Sequence, residues 1–204
     1  MNINLSNIEE IRKSHILFAM PITTGQVSPK AFNSFIQWVS TAQQLDLKWS
    51  INIIDSEPGI TQSRNQLINI FLENPIATHL MFIAPNIAWE PHYVLQLLSS
   101  EKHIIGGCID GKNYHASNQI VEDEIEEVTH IDPSFMMISK EAFIYLNNHK
   151  DNVQYTPDLP HLKTYFDTRI IDGKFFNEDD LFMKKWKDMG GKLWSQTDIQ
   201  ITDK

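Results

Sequence analysis

Three stretches of the sequence bring together side chains that can do chemistry. The first is Ser63-Arg64-Asn65, which follows an acidic turn and precedes Leu67 and Ile68. An arginine near a helix N-terminus can fork two phosphate oxygens, because its planar guanidinium matches their spacing. The same residue can also close an ordinary salt bridge. The second stretch, residues 81–91, reads Met-Phe-Ile-Ala-Pro-Asn-Ile-Ala-Trp-Glu-Pro: an apolar strand leads directly into a polar turn and a helix start. The third is acidic, with Glu178, Asp179 and Asp180 following Asn177. A carboxylate placed there can accept a proton as a general base. Alternatively, the three acids offset the positive end of a helix dipole, worth about 0.3–1 kcal/mol each.

Other chemistries are poorly supplied. The single cysteine, Cys108, allows no disulfide within the chain and no cysteine-based zinc site, which fits a reducing, cytoplasmic setting. The eight histidines are scattered without short ligand spacing. A net charge of −9 argues against a general nucleic-acid binder, while leaving room for a local cationic pocket. No apolar run approaches the roughly 18 residues of a membrane helix. The short run at 15–20 ends in Pro21 without a small-residue cleavage site, so it is read as a first strand rather than a signal peptide.

The elements that must position these residues follow from pattern. Residues 15–20 form a buried-type strand, followed by a loop over 21–25. Ser28 and Pro29 start a helix as N-cap and first helical residue, after which Phe32, Phe35, Ile36, Val39 and Leu45 recur at helical spacing. Alternating Trp49, Ile51 and Ile53 give a second strand, and Asp55 opens the turn beyond it. A helix over about 60–73 turns Leu67, Ile68, Phe71 and Leu72 inward. Residues 78–83 are apolar nearly throughout, as in the centre of a parallel sheet. A short helix after Pro91 and a strand at 103–107 complete a β-α-β-α-β-α-β order, which predicts a doubly wound, mostly parallel α/β sheet flanked by helices. Ligands of such sheets sit beyond the carboxyl ends of the strands.

The second half is less regular. The five acids within 121–128 read as a solvated hairpin or loop, or as a cation site. Residues 135–138 form a short strand, Ser139 caps a helix to about Asn148, and 150–165 read as a loop. Asn177 caps a helix to Met189 that Gly190 stops, and 192–196 form a last strand. The length of 204 residues favours one domain, 1–204.

The run at 81–91 resembles a segment of small GT-A-fold nucleotide-sugar glycosyltransferases of large viruses and phages: a hydrophobic strand, Asp-x-Asp, Ile, one residue, Trp, one residue, Pro. The third stretch resembles the ending of the same family. Glu178-Asp179, Phe182, Trp186, Gly190-Gly191-Lys192 and Trp194 agree with it in order, spacing and type. Two weaker matches are Gly106-Gly107 through Asp110-Gly111-Lys112, and Asp132-Pro133-Ser134-Phe135, where the family carries small glycines. The likeness runs from residue 15 to about 202.

The resemblance implies a GT-A-like α/β fold with a small mixed second half, and transfer of a hexose from a nucleotide-sugar donor to a sugar or glycan acceptor. In the family, the two Asp-x-Asp carboxylates hold Mn²⁺ or Mg²⁺ against the donor diphosphate. Here those positions are Ala84, which has no ligand atom, and Asn86, which offers a neutral carbonyl. The family's closing histidine is also missing, with Asp203 as its nearest substitute. No metal is therefore assigned; Asn86 and Asp203 are the weak candidates. Cationic side chains, Arg64 and Lys112, would face the diphosphate instead. Glu178 and Asp179 map onto the catalytic pair. Pro21, Thr23, Asp55, Asn65 and Asn86 are expected to line the donor pocket with them. The same losses permit a second reading, a catalytically silent relative that binds a nucleotide or glycan or supports an active partner.

Overall fold

The computed structural model describes residues 8–23, 25–55, 59–109, 125–149, 154–156 and 159–201. Lys112 and Asp203 lie outside them.

The chain enters through a short helix, α1 (Ile8–Lys13), and then β1 (His15–Ile22), all of whose residues are buried. The sequence HILFAMPI has no charge to keep wet, and both its faces are covered. Leu17 and Ala19 point to one core layer, and Ile16, Phe18 and Met20 to the other. Helix α2 (Pro29–Leu45) starts where expected: the Ser28 side chain accepts from the Ala31 N–H, and Pro29 occupies the first turn. It buries Ala31, Ser34, Trp38 and Ala42, whereas Phe32, Ile36 and Val39 are exposed. Small residues let the helix approach the sheet, and Trp38 fills the remaining space.

Strand β2 (Lys48–Asp55), helix α3 (Ile60–Glu73), strand β3 (His79–Ile83), helix α4 (Pro91–Ser99) and strand β4 (Ile104–Ile109) follow. Next come β5 (Ile125–Val128), β6 (Phe135–Ser139), α5 (Lys140–Leu146), the hairpin β7 (Gln154–Thr156) and β8 (Leu159–Lys163), and the hairpin β9 (Arg169–Ile171) and β10 (Lys174–Phe176). Helix α6 (Glu178–Asp188) and strand β11 (Leu193–Ile201) finish the fold.

Seven strands form one sheet in the order β2-β1-β3-β6-β4-β11-β5. Strands β1, β2, β3, β4 and β11 run one way, and β5 and β6 run the other. One core layer packs α3, α5 and α6 on the sheet, and the other packs α1, α2 and α4. Two glycines in β4 allow close approach. A Cβ on Gly106 would come within 2.4 Å of Ile131 Cγ2, and one on Gly107 within 2.5 Å of Ile199 Cγ2.

Three expectations need correction. Residues 125–128 are not a solvated loop. They are a sheet strand antiparallel to β11, with Glu126 and Val128 buried; 121–124 lie outside the described residues. The stretch 150–165, read as a loop, contains the β7–β8 hairpin. The final strand continues past residue 196 to Ile201, through a bulge against β4 between Gln196 and Gln200.

Candidate functional site

The chain leaves β1 to build β2 on one side and later β3 on the other, so the sheet changes winding direction between β1 and β3. At such a point the loops beyond the strands diverge and leave a crevice. Here it is a cavity of about 570 Å³, within the size range of small-molecule sites. Its walls come from the end of β1 and the chain beyond it (Pro21, Thr23 and 26–29), the end of β3 and its following turn (83–86), α3 (Ile60 and Arg64), and Pro133 with Ser134 before β6.

The turn after β3 is held from both sides. Ser28 N donates to Pro85 O at 2.8 Å, and Ala84 N donates to Ser134 O at 2.9 Å. Beyond it, Trp89 is 2 % exposed and packs among Phe18, Phe35, Trp38 and Phe135. Its backbone N–H donates to Ser34 Oγ at 2.9 Å. Trp89 therefore anchors the turn in the core, while Asn86 stands exposed at the cavity wall.

Among the described residues Arg64 is the charged side chain of that wall, and it is buried, with 8 % of the side chain exposed. Its Nη1 donates to Asp179 Oδ1 and lies 3.9 Å from Glu178 Oε1. The guanidinium also sits 5.1 Å above the Phe166 ring, which stacks on Phe182 at 4.5 Å. Among the described residues Arg64 Nε has no hydrogen-bond partner although it is buried. Helix α6 presents Asp179 from its first turn, fixed by the Asn177 side chain accepting from Asp180 N. Burial raises the Asp179 carboxyl above its ordinary value. Arg64 opposes this, Glu178 and Asp132 add to it, and His130 opposes it. The ion pair does not fully offset the cost of removing this carboxylate from water.

The expected site residues thus separate. Pro21, Thr23, Arg64 and Asn86 share the cavity wall with Ala84. Asp55 is exposed and faces the Gly25 turn, where a Cβ would lie 3.8 Å from its Oδ2; it is not a wall residue. Glu178 and Asp179 stand behind Arg64, joined to the cavity through it. Asn65 does not reach the cavity. It is 2 % exposed, its Oδ1 accepts from Tyr165 N and Phe166 N, and its Nδ2 donates to Phe166 O. One residue along a helix is a rotation of about 100°, which turns Asn65 away from the face that Arg64 uses.

Asn65 has a partner in this task. Lys185 is 1 % exposed and its Nζ donates to Thr164 O and Tyr165 O. Together they fix the backbone that sets Phe166 beneath Arg64. Neither Phe166 nor Lys185 was singled out from sequence. A signal for Lys185 existed: Leu181, Phe182, Lys185 and Trp186 share one apolar helical face. The Gly190-Gly191 pair is also structural. Gly190 has φ +82, and a Cβ on Gly191 would lie 2.1 Å from Trp186, whose Nε1 donates to Lys192 O.

The described residues of the wall offer few ligands for a hard divalent cation. Positions 84 and 86 supply a methyl and an amide, and among the described residues the wall carries a guanidinium but no carboxylate. Among the described residues, no cluster of three His, Cys, Asp or Glu side chains could hold a metal, and no helix is long and apolar enough to cross a membrane. A guanidinium on a cavity wall suits an anion.

No family model matches the sequence, and no curated protein matches it. Solved structures do match. The catalytic domain of Drosophila beta1,4galactosyltransferase 7, solved with xylobiose, superposes with a TM-score of 0.54 at 11% identity, covering 91% of this chain and 66% of that one. A197 from STIV superposes with a TM-score of 0.51 at 13% identity, covering 90% of this chain and 82% of that one. Likeness at such identities speaks for architecture, and with the sheet described above it establishes a GT-A-like α/β fold for this chain.

Proposed function

We propose that this protein transfers a hexose from a nucleotide-sugar donor to a sugar or glycan acceptor, without a tightly held divalent cation. The observation that carries this reading is the buried Arg64 on the wall of the switch-point cavity, paired with Asp179 behind it. In the reaction the bond between the anomeric carbon and the donor phosphate oxygen breaks, and its electron pair leaves with the diphosphate. A bond forms from the acceptor oxygen to the anomeric carbon, and the acceptor's hydroxyl proton passes to a carboxylate. Arg64 is suited to meet the developing phosphate charge, with Lys112 as a second candidate cation. Asp179, with Glu178 beside it, is suited to take the proton. Pro21, Thr23 and Asn86 border the donor, and Asp55 stands at the nucleotide end beside Gly25. The shared GT-A-like architecture supports the donor class as far as fold can.

A second reading is a silent relative that binds a nucleotide or glycan or supports an active partner. The observation favouring it is that Arg64 and Asp179 neutralise one another in the free protein, so both functional groups are engaged. One experiment separates the two readings. A thermal-shift screen over UDP-, GDP-, CMP- and dTDP-sugars identifies the donor, since a ligand binding only the folded state raises its melting temperature. Transfer and donor hydrolysis are then assayed with EDTA and with Mn²⁺. Turnover that survives the chelator supports the enzyme. Binding without turnover under either condition supports the silent relative.

A further inference from the structure

The mutual engagement of Arg64 and Asp179 has a consequence for how the site is turned on. We propose that a diphosphate entering the cavity draws Arg64 away from Asp179 and thereby releases Asp179 to act as base, so that the donor itself arms the site. This rests on the donor reading above and adds its regulation.

The geometry supplies each part. Arg64 belongs both to the cavity wall and to the acidic start of α6, so one guanidinium is in reach of an anion in the cavity and of the carboxylate behind it. Its Nε–H is buried and has no partner among the described residues, leaving a donor that an incoming phosphate oxygen can satisfy. The ring of Phe166 supports the guanidinium from one face, and a planar group so held can change partners without losing that contact.

The charged groups facing Asp179 come from three places: Arg64 on α3, Glu178 on α6, and Asp132 and His130 on the segment between β5 and β6. Arg64 is the strongest of those that keep Asp179 ionised. Once a phosphate shares that charge, burial, Glu178 and Asp132 act on Asp179 with less opposition, and its proton affinity rises. A carboxylate with a higher proton affinity is a better base near neutral pH. Before the donor arrives, Arg64 holds the proton affinity of Asp179 below what burial, Glu178 and Asp132 would give without it, so an acceptor alone finds a less basic carboxylate.

By linkage, an anion that raises the proton affinity of Asp179 must itself bind more tightly when Asp179 is uncharged. Inorganic pyrophosphate in chelator-treated, metal-free buffer is the probe. The wild-type protein, labelled with ¹³C at aspartate carboxyls, is titrated over pH with and without saturating pyrophosphate; Asp179→Asn assigns the resonance. The Asp179 midpoint is expected to rise by about one unit or more, a tenfold change in proton affinity. Calorimetry is expected to show Asp179→Asn binding pyrophosphate roughly fivefold more tightly than wild type, from loss of the competing charge. Pyrophosphate binding with an unmoved midpoint overturns the latch and leaves the donor reading intact. Absence of pyrophosphate binding overturns the latch as well. If the midpoint moves but no nucleotide sugar is turned over, the latch stands and the transferase reading fails. The NMR titration of the wild-type protein decides the matter even if the variant folds poorly.

Discussion

Arg64 and Asp179 are 115 positions apart in sequence and meet in one ion pair, with the arginine on the cavity wall and the aspartate behind it. Removing one partner leaves the other charge buried without compensation. Arg64→Leu is expected to destabilise the fold by about 2–3 kcal/mol, at the low end for buried pairs because Asp179 keeps 24% of its side chain exposed. The double variant Arg64→Leu with Asp179→Leu should lose clearly less than the two single losses added together. Urea denaturation of the four proteins in this cycle checks the coupling.

The carboxylate pair is expected to matter for rate more than for donor capture. Asp179→Asn and Glu178→Gln should each lower transfer by roughly 10²-fold, with donor affinity retained or improved. Steady-state kinetics measure this directly. If both variants keep the wild-type rate, neither carboxylate is the base.

Charge can be introduced into the turn after β3. Ala84→Asp combined with Asn86→Asp places two carboxylates on a backbone held by Ser28 and Ser134, and this pair is expected to bind Mn²⁺ where the parent wall offers a methyl and an amide. Calorimetric titration with Mn²⁺ reads the result. An unchanged heat profile would refute the equivalence of these positions with the metal-holding pair of the family.

Asn65 should behave as a structural residue. Asn65→Ala removes three buried hydrogen bonds to the 165–166 backbone and should cost about 2–4 kcal/mol. Denaturant midpoints test this. A variant of unchanged stability with weakened donor binding would return Asn65 to the pocket.

Acid should weaken the protein through His79. Burial lowers its proton affinity below the ordinary value of 6.5, with Glu141 opposing and His103 assisting. A group depressed in the folded state contributes stability that is complete above the unfolded value and declines as pH falls from about 6.5. His15 is lowered as well, first by burial and then by Lys48. His79→Gln should therefore flatten part of the loss of stability between pH 7.5 and 5.5. Urea midpoints across that interval report it.

The sequence revealed local features better than distant ones. Ser28, Pro29, Ser139 and Asn177 marked helix starts because capping is decided within a few residues. The insertion of β6 between β3 and β4 was not visible, because the run FMMIS is buried on both faces and carries no alternation to report its neighbours. The inward face of α2 was obscured as well: Phe32, Ile36 and Val39, which recur at helical spacing, are exposed, and Trp38 with the small residues Ala31, Ser34 and Ala42 lines the contact. At the site, Arg64 could be read as a phosphate ligand or as an ion pair. The structure shows the ion pair, with a partner more than a hundred positions away, which no local pattern encodes.

The turn after β3 owes its shape to two backbone hydrogen bonds and to a tryptophan sunk in an aromatic cluster. None of these depends on which side chains occupy positions 84 and 86. Shape and ligand chemistry are thus set by different residues at this corner of the molecule. Point substitution at these two positions can change the electrostatic character of the pocket mouth while the surrounding architecture folds as before.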